Sequence, residues 1–128
     1  MSIKLDMVGI VVKDMKRALD FYRTLGFEIS SDWDNQAHVE VNQDGVRLAF
    51  DTVEIATSVY GLWEEPTGHR IELAFTCEST KALNDLYQRV LDQGYASHKE
   101  PWDAFWGQRY AILKESDGNL ISLFCDNI

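Results

Sequence analysis

The sequence predicts an α+β fold made of two βαβββ modules, each with a curled mixed sheet, placed side by side to leave a cleft. Three observations point there. The chain reads twice in one order: a strand, a helix, then three strands. Residues repeat along with the pattern, DGVRLAF at 44–50 matching DGNLISLF at 117–124, and Ala18-Leu19 matching Ala82-Leu83 near the two helix starts. The 128 residues suit one domain or two small modules sharing a core. A repeat of about 60 residues occurring twice is too long and too few for a solenoid.

Residues 5–12 (LDMVGIVV) are nearly continuous apolar and β-branched, as in a buried strand. Asp14 can cap a helix in which Met15, Ala18, Leu19, Tyr22 and Leu25 recur at helical spacing, and Gly26 ends it. FEISSDW, AHVEVN and VRLAFD follow as strands. AHVEVN alternates, with Ala37, Val39 and Val41 on one face and His38, Glu40 and Asn42 on the other. Asp44-Gly45 is a hairpin signal. Residues 52–68, with Pro66 and two glycines, connect the halves, so module 1 spans about 1–56 and module 2 about 67–128. The second half opens with the strand HRIELAFTC at 69–77. Ser79 or Thr80 caps a helix carrying Leu83, Leu86, Tyr87, Val90 and Leu91, which Gly94 stops. YASHKE, QRYAILK and NLISLFC are its three further strands, the last entered through the turn SDGN.

Composition narrows the function. The formal net charge of -9 repels phosphate backbones and anionic lipid, so neither nucleic acid nor membrane is expected as a partner. No apolar run approaches the roughly 18 residues of a membrane helix. The start, MSIKLDMVGIVVKD, reads as structure, not as a signal peptide. Cys77 and Cys125 each sit in an apolar run, so reduced thiols in the cytoplasm are expected, not a disulfide framework. There is no nucleophile elbow, no glycine-rich phosphate loop, and no histidine beside either cysteine in sequence.

DMKRALDFYRTLGF (14–27) resembles the helix signature of the vicinal oxygen chelate superfamily, which holds glyoxalase I, extradiol dioxygenases, fosfomycin-modifying enzymes and bleomycin resistance proteins. ESDGNLISLF (115–124) is similar to that family's closing hairpin. The resemblance covers essentially the whole chain and implies paired modules curling around a cavity. Metalloenzymes of the family place four ligands there, and the matching positions here are Met7, Ala49, Glu72 and Ser122. Only Glu72 is a good ligand for a divalent metal, so no metal and no cofactor are expected. A site rebuilt from His38, Glu40 and Glu72 is an alternative; His69 and His98 read as surface or turn histidines.

PWDAFWGQRY (101–110) resembles the Trp-Gly-x-Arg stretch of the bleomycin resistance branch, whose members bind a drug as dimers without transforming it. The resemblance implies a homodimer that binds a small aromatic or cationic molecule and sequesters it, as for an antibiotic. The candidate binding residues are Trp33, His38, Glu40, Trp63, Trp102, Phe105, Trp106 and Arg109. Asp32, Asp34, Glu64, Glu65 and Asp103, close in sequence to those rings, suit a positive ligand. The competing reading has some rings filling the core or a dimer interface. Two enzymatic alternatives stand beside binding: a glyoxalase-like lyase, isomerase or dioxygenase with a degenerate or relocated metal site, and a metal-free enzyme using Glu72 as general base. Otherwise Glu72 pairs with Arg70, Arg47 or Arg109.

Overall fold

The computed structural model describes residues 2–127. The chain forms two compact units. The first takes the chain up to Asp20 together with Glu28–Pro66, and the second takes Phe21–Phe27 and the chain from Thr67 onward.

In the first unit, β1 (Met7–Val12) leads into α1 (Met15–Leu25), whose residues from Phe21 on are counted with the second unit. The Asp14 carboxylate accepts the Arg17 N–H at 2.9 Å, satisfying one of the helix's free donors. Gly26, at φ 117°, ends α1, and the Phe27 N–H returns to the Tyr22 carbonyl at 3.0 Å. Met15, Ala18, Leu19 and Tyr22 form the buried stripe of α1, as their spacing requires. β2 (His38–Gln43) and β3 (Val46–Thr52) form a hairpin whose turn places Asp44 and Gly45 at positive φ. The sheet runs β1-β3-β2, with β1 parallel and β2 antiparallel to β3.

Two expectations for this unit are corrected. FEISSDW is not a strand: Ser31–Trp33 is a single 3₁₀ turn, with the Ser30 hydroxyl accepting the Asp32 N–H at 3.1 Å. That local bond from the backbone to a serine side chain wins over a weak alternation. The connection is not wholly irregular either. Thr52 caps α2 (Val53–Tyr60), its hydroxyl accepting from the Ile55 N–H, and Gly61 at φ 92° ends it.

The second unit has a four-stranded sheet in the order β4-β7-β6-β5, from β4 (Glu72–Thr76), β5 (Ala96–Ala104), β6 (Gln108–Lys114) and β7 (Leu120–Asp126). β4 and β7 are parallel and the other pairs antiparallel. α3 (Thr80–Asp92) starts at Ser79, whose hydroxyl accepts the Ala82 N–H at 3.0 Å. Leu83, Tyr87 and Val90 of α3 are buried, as are Ala111, Leu113, Ile121, Leu123 and Cys125 on one face of the sheet. β4 is shorter than the expected 69–77, and β5 runs on past 100 through Pro101 and Trp102. β5 is an edge strand, where proline costs no ladder bond, and the register shifts between Lys99 and Trp102 absorb it.

At the β6–β7 turn the Glu115 side chain turns inward. Its Oε1 accepts the N–H groups of Asp117 and Asn119 at 2.7 and 2.8 Å, while Oε2 has no hydrogen-bond partner. Burial is the first cause that pushes its carboxyl above the ordinary range. Among the described residues no helix is long and apolar enough to cross a membrane.

Candidate functional site

Strand alternation gives the four-stranded sheet a second face, opposite the one under α3. Trp102, Tyr110 and Phe124 are direct cross-strand partners and form one row across β5, β6 and β7 on that face. Tyr110 and Phe124 are stacked, 6.2 Å apart at 24°. Trp102 meets Tyr110 edge to face at 5.4 Å. The hairpin tip extends the row. Trp106 lies 5.6 Å from Tyr110, and Phe105 lies 5.1 Å from Trp106. Phe105 is 97% exposed and Trp106 49%, so neither belongs to the core of this chain. The Trp106 indole N–H donates to Gln108 Oε1 at 2.8 Å, which fixes its ring at the tip.

A polar cluster adjoins the rings on the same face. Glu72 Oε1 accepts the Tyr110 hydroxyl at 2.9 Å, and Oε2 accepts the Ser122 hydroxyl at 3.1 Å. Glu72 is therefore satisfied by two hydroxyls, not by an arginine. Arg47 is engaged by Glu40 and Asp6, and Arg109 by Asp103. Glu72 is also exposed, without the burial that would favour a general base. Burial is the first cause of a Tyr110 phenol pushed above its ordinary value; Ser122 opposes the shift and Glu72 reinforces it. The Lys99 ammonium sits 3.9 Å from the centre of the Trp102 ring, a cation over an indole supplied by the chain itself.

Arg109 is one residue before Tyr110, so it faces the other way. There it donates to Asn84 of α3 at 3.3 Å and to Asp103 at 3.1 Å. It braces the hairpin against α3 and does not join the ring row.

Trp33, His38, Glu40 and Trp63 belong to the first unit. Trp33 closes the 3₁₀ turn. Trp63 donates its indole N–H to Glu65 at 3.0 Å. His38 and Glu40 share a face of β2, as alternation requires, with Arg47 and Asp51 of β3 as neighbours. Asp51 engages His38 Nδ1, and Glu40 engages Nε2 at 2.8 Å. Arg47 bridges Glu40 at 2.7 Å and Asp6 at 2.6 Å. The hydrogen bond that the ring donates to Asp51 first, then the one it donates to Glu40, raises the His38 pKa. With a carboxylate at each ring nitrogen, the ring favours the doubly protonated form, which offers no lone pair to a metal.

The family's metal positions can be tested directly. Ala49 is fully buried and has no donor, and Met7 offers only a thioether. Ser122 is fully buried, and its hydroxyl is committed to Glu72. Among the described residues no group of three or more His, Cys, Asp or Glu side chains is placed to hold a metal ion. The donor set does not fit a transition metal.

Sequence reasoning singled out the ring segment and Glu72 but missed the hydroxyls of Tyr110 and Ser122 around Glu72, the stacked Phe124, and Lys99. The cross-strand row follows once the hairpin register is known, and the bulge between Lys99 and Trp102 hides that register from simple counting.

A profile described as Glyoxalase/Bleomycin resistance protein/Dioxygenase superfamily matches residues 4–123. Among solved structures, a glyoxalase/bleomycin resistance protein/dioxygenase family enzyme from Burkholderia phytofirmans superposes with a TM-score of 0.84 at 18% identity, covering 97% of this chain and 99% of its own. A member of the superfamily from Sphaerobacter thermophilus gives 0.70 at 25% identity, covering 97% and 98%. A lactoylglutathione lyase from Agrobacterium tumefaciens gives 0.70 at 12%, covering 95% and 92%. No curated protein matches the chain in sequence.

Proposed function

We propose that this chain, which belongs to the glyoxalase/bleomycin resistance protein/dioxygenase superfamily, binds a small aromatic, positively charged molecule without metal and without transforming it. The observation that carries this reading is the row Trp102, Tyr110 and Phe124 on a sheet face that α3 does not cover, with the Glu72 carboxylate at its side. A stacked ring contributes about 0.5–1.5 kcal/mol beyond its burial. A cation over an indole adds about 0.5–2 kcal/mol. Several such contacts on one face are enough for micromolar binding, about 8 kcal/mol in all, once the apolar area is counted. Glu72, held by two hydroxyl donors, presents a fixed negative charge to the ligand's cationic group. Lys99 holds the place over Trp102 that the ligand's cation would take. Sequestration of a cationic aromatic antibiotic fits these demands better than a glyoxalase-like lyase, isomerase or dioxygenase reaction, which needs metal donors that Ala49 and Ser122 do not provide.

The experiment is a titration of indole emission after dialysis against a chelator, with a bleomycin-type glycopeptide and a planar cationic dye as probes. Saturable quenching with one midpoint is expected. Emission that stays linear in probe for both compounds would overturn the proposal.

A further inference from the structure

Cys77 and Cys125 stand opposite each other where the β4–β7 pairing ends. The register pairs Phe75 with Leu123 and Thr76 with Phe124. The Cys77 N–H then donates to the Phe124 carbonyl at 2.7 Å. In a parallel ladder that bond belongs to a residue whose partner is the next one along, Cys125. Alternation puts both sulfurs on the side of Phe75 and Leu123, under α3. Two contacts agree. Cys77 lines a cleft of about 210 Å³ with Phe75, Leu86 and Leu123. The Cys125 sulfur lies 3.8 Å from the Thr80 hydroxyl in the first turn of α3. Neighbouring strands run about 4.8 Å apart, within the Cα separation of about 4.4–6.8 Å that a disulfide spans.

We propose that Cys77 and Cys125 form a dithiol that a small peroxide converts reversibly to a disulfide within one chain. Cys77 is half-buried and stands on the cleft wall, whereas Cys125 is buried, so the roles divide. The Cys77 thiol gives up its proton, the thiolate attacks a peroxide oxygen, the O–O bond breaks, and the leaving hydroxide takes up that proton as water, with Cys77 left as its sulfenic acid. The Cys125 sulfur then attacks the Cys77 sulfur, the S–O bond breaks, and the departing hydroxide takes the Cys125 thiol proton and leaves as a second water. In sum, two thiols lose two hydrogens and hydrogen peroxide becomes two waters. Cys77 lies one residue past the end of β4, free of the ladder on its C-terminal side, so its backbone can turn toward β7. A bond made directly across adjacent strands is strained, and such disulfides yield readily to thiols. Burial pushes the Cys77 thiol up, and the neighbouring Cys125 adds to it, so oxidation is slow and needs excess peroxide. The bond would tie down β4, the edge strand that carries Glu72 at its other end.

The test incubates the folded protein with excess hydrogen peroxide, alkylates remaining thiols and measures intact mass. The expected product has lost two hydrogens, takes no alkyl group, yields a Cys77–Cys125 linked peptide, and regains both thiols with dithiothreitol. Cys77→Ser and Cys125→Ser should each abolish it. Two alkylated thiols after prolonged oxidation, a Cys77 that stops at the sulfinic acid, or a bond between two chains would overturn the proposal.

Discussion

Glu115 shows how one side chain couples structure to pH. The residue is 4% exposed, and its carboxyl pKa is raised in the fold chiefly by burial. A raised carboxyl pKa means that the folded state holds its proton longer than the unfolded chain does. Stability from this group is therefore fully present below the ordinary carboxylate range and is lost as pH rises through the folded value. We expect Glu115→Gln to flatten that loss and raise the melting temperature at neutral pH, because the amide oxygen still accepts both turn N–H groups. Glu115→Ala, which orphans those donors, should destabilise by about 1–3 kcal/mol. Thermal unfolding of the three proteins across acid and neutral pH checks both. Lys99 offers a second residue-scale test. Its ammonium covers the Trp102 ring, so Lys99→Met should free that face and strengthen binding of a planar cation by about 0.5–2 kcal/mol. Titration of the variant and the parent with the same dye decides it.

Among the elements, those that carry two agreeing signals were legible in the sequence. α1 and α3 have an apolar period, a capping side chain and a terminal glycine, and the β2–β3 hairpin has alternation and Asp-Gly. Those with one signal were misread. Residues 28–33 held apolar Ile29 and Trp33 but also the Ser-Asp cluster that formed a 3₁₀ turn. α2 has only a threonine cap and eight residues, too few to show a period. At the site, the ring segment and Glu72 could be read directly, whereas the hydroxyls holding Glu72 come from strands 38 and 50 residues further along the chain. The cap at Ser79 is testable. Ser79→Ala removes the acceptor for the Ala82 N–H and should cost about 0.5–2 kcal/mol in chemical denaturation. An unchanged midpoint would mean that the helix draws its stability from Leu83, Tyr87 and Val90 alone.

At the scale of the whole molecule, charge and exposed apolar edges set the expectations. β1 and β4 are edge strands of their sheets, and Leu5 and Met7 at the first and Ile71 at the second are exposed apolar residues. Such edges invite cover, so we expect a homodimer at micromolar concentration, and sedimentation velocity should show a particle of two chains. The net charge of -9 should make binding of a cation weaken as salt rises, since partly exposed charges are screened. The central claim is that the ring row binds a ligand and is not merely packing. The most direct test compares Trp102→Ala with the parent in two numbers, probe affinity and melting temperature. A binding ring predicts a loss of about 1–3 kcal/mol in affinity with the melting temperature nearly unchanged. A large fall in melting temperature, reflecting the roughly 3–5 kcal/mol that a core tryptophan carries, with probe affinity unaltered would contradict it.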